Sequence, residues 1–392
     1  MRITRFETLH CAAGTRIWSY LKVETDERIT GWAEFTDGGF SARGLAQIIE
    51  RLAALVVGQD PTNTRRLEFI LHSSTHEAES FLNRRAAGAI LNASLDIRAR
   101  AAGVPVAALL GGILRDKLPL YWSHCGLGRV RMSQAGEHPP ITSLEEIVAL
   151  GREVRERGFR SLKTNVILFE DGAARLYLPL WRGQGETSLE LTRSTIEGTV
   201  ELIEAFHYGA GEEVEILLDT VFCVKGEAIA RLARRLAQTP LGWLESDSLE
   251  PETLRAARGN GQLRIASGET LSGVRHYRRF FEQAAIDVPV VDVSWNGIPE
   301  ALRIADLANS YDLNVAPHNF ASHLLSYMSA HFAATIPNFS ILEYDVDGVH
   351  WRDDVVTPPR IIDGHMLLPD GPGWGCEIDE DAICAHPPAR AI

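Results

Sequence analysis

Six segments in the second half of the chain each end a short apolar run on a residue that can do chemistry. They are EILLD ending at Asp219, GWLE at Glu245, RIASGE at Glu269, VPVVD at Asp292, LNVAPH at His318 and FSILE at Glu343. Successive ends lie roughly 25 residues apart, which is the length of one strand, turn, helix and turn in a (β/α)8 barrel of about 250 residues. The six runs therefore read as consecutive parallel strands, each followed by a helix. In a closed barrel the C-terminal ends of the strands meet on one face, where active sites of such folds lie. The pattern thus predicts an enzyme as well as a fold.

The start of the chain follows a different rule. RITRFETL (2–9), RIWSYLKVET (16–25) and RITGWAE (28–34) have strand character and predict a small antiparallel sheet. Helical periodicity follows at 43–56, 62–72 and 83–102, and Gly103 with Val104-Pro105 stops the last of these. LPLYWSH (118–124) reads as the first barrel strand, and FRSLKTN (159–165) as the second, after a helix at 143–157. The expected class is α/β: a TIM-like (β/α)7–8 barrel over 118–354, with an N-terminal α+β capping domain over 1–117 joined by the C-terminal tail 355–392. Residues 166–192 break the rhythm and read as a long loop leaving the second strand, placed to cover a substrate. Arg175, Tyr177, Trp181 and Arg182 in that loop are candidates to recognise distal substrate groups.

Composition narrows the function classes. A chain of 392 residues is long enough for two domains. No window approaches the roughly 18 uncharged apolar residues of a transmembrane helix. MRITRFETLH is charged where a signal peptide needs an apolar core, so a cytoplasmic protein is expected. Five cysteines without CxxC spacing indicate neither a disulfide framework nor a zinc site. The net charge of −13 argues against a nucleic-acid partner but not against a small anionic substrate.

Asp219, Glu245 and Glu269 close three consecutive strands. Three converging carboxylates without His or Cys suit a hard divalent cation, one Mg²⁺ per site, which leaves room for water and substrate. Asp292 and His318 end the next two strands, and a carboxylate beside an imidazole fixes its tautomer and makes a general base. Lys163 ends the second strand at the same depth and can balance a substrate carboxylate; Asn165 projects to the same side and can hydrogen-bond but not act as a base. Glu343 can donate a hydrogen bond if protonated, or position His318 or a hydroxyl if ionised. His124, after the first strand, is a candidate second acid or hydroxyl binder. Arg16, Trp18 and Phe40 sit in capping-domain loops that can close over the mouth.

The ordered set Lys163, Asp219, Glu245, Glu269, Asp292, His318, Glu343 resembles the enolase superfamily in its mandelate racemase/muconate lactonizing enzyme branch. GFRSLKTN is similar to that family's second-strand motif, ASGET to its third metal site and APHNF to its His-base motif; ITGWAE, LNASLDIRARAAGVPVAALLGG and LLPDGPGWGCEID resemble its capping domain. The resemblance implies abstraction of a proton α to a carboxylate, giving an enediolate held by Mg²⁺ and Lys163. It also implies a homo-oligomer. The family's Lys-x-Lys has Asn165 in place of its second lysine, and Asp219 is followed by Thr220 and Val221 rather than by the His, Asn or Lys of some relatives. A site with a base on one face suits β-elimination, so the expectation is dehydration of an acid sugar, a pentonate or hexonate, to a 2-keto-3-deoxy acid. His318 or His124 would protonate the leaving hydroxyl. A racemase or epimerase working through Lys163 and His318 is the alternative, and a non-catalytic metal-binding barrel a second one.

Overall fold

The computed structural model describes residues 1–36, 42–73, 80–132, 139–170, 172–179 and 190–388. Strands β1 (Ile3–Ala13), β2 (Arg16–Thr25) and β3 (Thr30–Glu34) form an antiparallel sheet in that order. Ala13 pairs with Arg16, so Gly14 and Thr15 make a two-residue turn, for which Gly14 takes φ 65°. Helices Ala42–Ala53, Thr64–Ser73 and Phe81–Ala102 follow. The third is buried along most of its length; Ser80 caps its start and left-handed Gly103 its end. It lies between the sheet and the barrel. A Cβ on Gly88 would come within 2.8 Å of Gly297 N, so two glycines let the helix backbone touch the barrel.

The next strands are β4 (Lys117–Ser123), β5 (Ser161–Asn165), β6 (Ile167–Glu170), β7 (Ala173–Leu176), β8 (Glu215–Asp219) and β9 (Leu241–Glu245). Then come β10 (Arg264–Ser267), β11 (Val288–Val291), β12 (Ala316–Pro317) and β13 (Leu342–Asp345). β4, β5, β8, β9, β10, β11 and β12 pair in sequence in parallel, and β13 pairs with β4. A parallel bridge between Val315 and Phe339 links β12 to β13, so eight strands close a ring. Tyr121, Leu217, Trp243, Ala266, Val288, Val290 and Ala316 fill its interior. Tyr121 and Trp243 meet edge to face at 5.9 Å, making the barrel floor a packed plug.

Two local expectations are corrected. Residues 167–176 are not loop: β6 and β7 form an antiparallel hairpin, with Ile167 opposite Leu176 and Leu168 opposite Arg175. Ile167 and Leu168 are buried, Leu168 packing beside Gly198 of helix Arg193–Ala210. An Asp-Gly dipeptide between the apolar runs ILF and AARL was the available signal. Exposed Arg175 pairs with Glu170 at 3.4 Å. Phe40, Trp181 and Arg182 lie outside the described residues. Second, Lys163 lies mid-strand in β5 and Glu343 second in β13, each two residues short of the strand end.

The tail belongs to both halves. β14 (Ile361–Ile362) and β15 (His365–Leu367) form a hairpin, and β15 runs antiparallel to the start of β4. Further on, Trp374 Nε1 donates to Trp32 O (2.6 Å) and Trp374 N to Asp96 Oδ1 (3.0 Å). Asp96 Oδ2 also accepts from Trp32 N (2.9 Å) and Arg100 Nε (3.0 Å). One buried carboxylate thus joins sheet, helix and tail; burial lifts its pKa to about 6 against the pull of Arg100. Among the described residues no helix is long and apolar enough to cross a membrane.

Two contacts dock the cap onto helix His323–Thr335, which follows β12. Buried Glu34 accepts from Ser322 Oγ (2.5 Å), Ser322 N (3.1 Å) and Leu325 N (3.0 Å), so a cap carboxylate satisfies the first turn of a barrel helix. Glu34→Gln leaves one of those N–H groups facing an amide donor. It is expected to cost about 1–3 kcal/mol, read as a lower Tm. His331, on the same helix, accepts from Ala107 N at Nδ1 (3.2 Å) and donates from Nε2 to Trp374 O (3.1 Å). Burial drops its pKa to about 4 from an ordinary 6.5. Its contribution is therefore complete above the unfolded value and is lost as pH falls toward 4. Linkage puts that loss at about 3 kcal/mol. A His331→Gln protein should show a shallower fall in Tm between pH 7 and 4.5 than the parent; identical slopes would remove His331 from the acid response.

Candidate active site

The carboxylates reach the mouth from successive strands. Asp219 and Glu245 are the last residues of β8 and β9 and are register partners. Glu269 stands just past β10, beyond Gly268 at φ 120°. Asp292 directly follows β11, and His318 directly follows β12.

Asp292 is held first by its own backbone. It caps the short helix Val293–Asn296, its Oδ1 accepting from Ser294 N (2.6 Å), Ser294 Oγ (2.7 Å) and Trp295 N (2.9 Å). Oδ2 lies 2.7 Å from His318 Nδ1, which therefore carries a proton, leaving Nε2 as the nitrogen turned away from Asp292. That Nε2 is 3.0 Å from Glu269 Oε2. Burial alone would lower the His318 pKa; Glu269 and Asp292 outweigh it and raise it to about 10. Trp295 and Phe320 wall two adjacent sides of the ring, each centroid 5.0 Å from it and 6.5 Å from the other.

Lys163 is 1% exposed, and its Nζ lies 3.0 Å from both Glu245 Oε2 and Glu343 Oε1, above the face of Tyr121. Burial opposes its charge, but the two carboxylates win and hold it protonated. Glu343 accepts additionally from Ser123 Oγ (2.5 Å) and Asn319 N (2.8 Å). Despite its burial, Lys163 keeps it well below the usual carboxylate range. Of the two roles open in the sequence, the geometry selects the ionised acceptor.

Asp219, Glu245 and Glu269 are under the opposite pressure. Burial, aided by repulsion from neighbouring carboxylates that include Glu343 and Asp247, raises all three, Glu245 to about 8. Glu245 Oε1 is buried with no hydrogen-bond partner. As the side chains stand, no three acid, His or Cys groups among the described residues are drawn to one point, since each has turned to a neighbouring donor. The donor set is nonetheless oxygen only, it is short of positive charge, and it has an orphaned carboxylate oxygen. These residues fit a hard divalent cation.

The other sequence candidates are placed as follows. Asn165 Nδ2 donates to Asp219 O and Oδ2, both at 3.2 Å, and its Oδ1 is buried without a partner. His124 Nδ1 is 2.6 Å from Ser123 Oγ. Trp18 is buried and lines a cleft with Arg16, Gly128, Asp345 and Asp347, while Arg16 pairs with Asp345 at 2.5 Å and stacks on Phe320. Sequence reasoning missed Ser123, Asn319 and Asp247. Asp247 is buried and accepts from Ser267 Oγ (2.5 Å) and Gly268 N (2.9 Å), fixing the turn that carries Glu269. Its signal was its place two residues after Glu245, on the same side of an extended run.

Residues 5–111 match the family described as mandelate racemase/muconate lactonizing enzyme, N-terminal domain, and residues 146–382 match the enolase C-terminal domain-like family. The chain belongs to the mandelate racemase/muconate lactonizing enzyme branch of the enolase superfamily. It is 30% identical over 382 residues to a D-xylonate dehydratase of Haloferax volcanii, covering 95% of this chain and 86% of the relative. It is 26% identical over 395 residues to a D-galactonate dehydratase of Xanthomonas oryzae pv. oryzae, covering 98% and 94%. A Burkholderia xenovorans LB400 structure, provisionally named an L-alanine-DL-glutamate epimerase, superposes with TM-score 0.94 at 39% identity over 99% and 98% of the two chains. That protein has also been solved bound to magnesium and fumarate.

If the three acids hold a cation, Mg²⁺ should raise the Tm of the parent, by the equivalent of about 2.7 kcal/mol at a hundredfold excess over its Kd. Glu245→Gln should abolish the rise without abolishing folding. An unchanged Mg²⁺ response in that variant would place the cation elsewhere.

Proposed function

We propose that this protein is a Mg²⁺-dependent hydro-lyase that dehydrates an acid sugar, a pentonate or hexonate, to its 2-keto-3-deoxy acid. The observation that carries the reading is the one-sided base. His318 stands on one face with its Asp292 partner, while Asn165 occupies the position of a second lysine and is tied to Asp219. The dehydratase names of the relatives support it.

Asp219, Glu245 and Glu269 would hold the cation, which when bound supplies Lewis-acid stabilisation of the substrate carboxylate as charge develops there. Lys163, kept protonated by its surroundings, adds a fixed positive charge at the same group and needs no reorganisation as the reaction proceeds. With Glu269 engaged as a ligand, His318 Nε2 loses the contact that most favours its protonated form and is free to take the α-proton. Asp292 steadies the imidazolium that results. The same Nε2–H then protonates the departing 3-hydroxyl, which leaves as water, and the enol relaxes to the 2-keto acid. Asn165 Oδ1, lacking a protein partner, is available to a substrate hydroxyl.

Epimerisation is the second reading, favoured by the provisional name of the 39% identical Burkholderia protein. A screen of the Mg²⁺-loaded enzyme against aldonates, D-xylonate and D-galactonate included, should give a semicarbazide-positive keto acid. His318→Asn should lower kcat by roughly 10²–10⁴-fold. Solvent deuterium appearing at the α-carbon with the hydroxyls retained, and no keto acid, would instead establish epimerisation.

A further inference from the structure

His124 follows β4 and takes φ 50°, a left-handed backbone that costs a residue with a Cβ on the order of 1 kcal/mol. The turn is bolted in place. Cys125 N donates to Lys163 O and Thr164 Oγ to Cys125 O, both at 2.8 Å, while Leu127 N donates to His124 O at 2.9 Å. The ring is thus presented at the mouth, beside Phe320, at a centroid distance of 6.1 Å.

Its protonation follows from counting hydrogens. Glu343 Oε1 faces the Lys163 ammonium and Oε2 faces the Asn319 amide N–H, neither of which can accept a proton. Glu343 is therefore an acceptor, and the single hydroxyl proton of Ser123 points to it at 2.5 Å. Ser123 Oγ then has only lone pairs to offer His124 Nδ1 at 2.6 Å, so Nδ1 carries the ring proton. A second proton is opposed by burial and by Arg16, which depress the His124 pKa to about 3. Among the described residues nothing bonds Nε2.

We propose that His124 is a neutral, Nδ1-protonated hydrogen-bond acceptor that reads a substrate hydroxyl through its bare Nε2, and is not the acid that protonates the leaving group. Ser123 is a positioning residue that sets this tautomer, and Glu343 orients Ser123. The assignment rests on the dehydratase reading for what the hydroxyl belongs to, but not for the tautomer.

Histidine-selective ¹⁵N NMR tests it on the full-length protein, with His124→Gln assigning the signal. The expected spectrum has His124 Nδ1 protonated and Nε2 unprotonated from pH 5 to 8, and Ser123→Ala shifts the ring toward the Nε2–H tautomer. An Nε2–H ring or an imidazolium at pH 7 in the parent, or no shift in S123A, overturns the proposal. On the sugar acid that turns over, His124→Gln should raise KM roughly tenfold and more than it lowers kcat. A kcat loss of a hundredfold with little change in KM would make His124 the acid and overturn it. If no sugar acid turns over, the dehydratase reading fails while the NMR still decides the tautomer.

Discussion

The ammonium of Lys163, buried between Glu245 and Glu343 at 3.0 Å from each, is the interaction around which the site is arranged. Closing an eight-stranded barrel forces the strand ends together, and here they bring Asp219, Glu245, Asp247, Glu269, Asp292 and Glu343. Buried carboxylates without cations either protonate or drive the structure apart. Lys163 settles two of them by splitting its charge across the mouth, and His318 settles two more. Even so, burial keeps Asp219, Glu245 and Glu269 above their ordinary range, and one oxygen of Glu245 has no hydrogen-bond donor. Two of the three acids that would hold a metal thus also face side-chain cations, Glu245 with Lys163 and Glu269 with His318. The site's raised carboxylates and its protonated imidazole are two aspects of one charge imbalance.

His318 is oriented as much by the capping domain as by the barrel. Trp295, against which His318 packs, is held by a bond from its Nε1 to Thr36 O (2.9 Å) and by Arg85, whose Cζ lies 3.7 Å from its ring. Asn92, on the same cap helix as Arg85, donates to Val293 O (2.9 Å) and accepts from Ile298 N (2.8 Å), bracketing the turn after β11. Glu34 secures the helix after β12. The stretch LNASLDIRAR thus does two jobs one turn apart: Asn92 engages the barrel and Asp96 the sheet and tail. A chain that folded its barrel without its cap would leave the His318 ring without one of its walls.

The barrel was legible because its signal is local. Each strand-helix unit is a short period of apolar run, turn and amphipathic helix, and the ends of the runs name the site. Asp219, Glu245, Asp292 and His318 fall at or beside the ends of their strands because the apolar run and the strand stop together. Depth within a strand was not legible. Lys163 and Glu343 sit lower than their neighbours, beside the Tyr121 plug, because a buried ammonium needs carboxylates on two sides rather than a place at the rim. The hairpin at 167–176 was missed where strand alternation was too short to outweigh the Gly- and Pro-bearing stretch after it. Ser123, Asn319 and Glu34 carry no pattern of their own. Ser123 and Glu34 take their roles from contacts spanning most of the chain, with Glu343 and Ser322, and Asn319 from Glu343 one barrel unit on; a hydroxyl or amide has no spacing that announces such a partner.

The ionisation of Glu343 has consequences beyond its own carboxylate. A protonated Glu343 would have donated to Ser123 or to an enolic oxygen, leaving Ser123 free to donate onward and His124 free to keep its proton on Nε2. With Lys163 and Asn319 both donating to it, that chain runs in one direction only, from His124 through Ser123 to Glu343. On the proposed reading, the arrangement removes His124 as a proton source and leaves His318 Nε2 as the nitrogen that takes the proton and returns it. A single mobile proton on one face permits loss of a hydroxyl from that face. On the same reading the opposite face, where Asn165 stands in place of a second lysine, has no acid at that position. The chemistry of the site is thus limited less by the residues it has gained than by how few of its hydrogens are free to move.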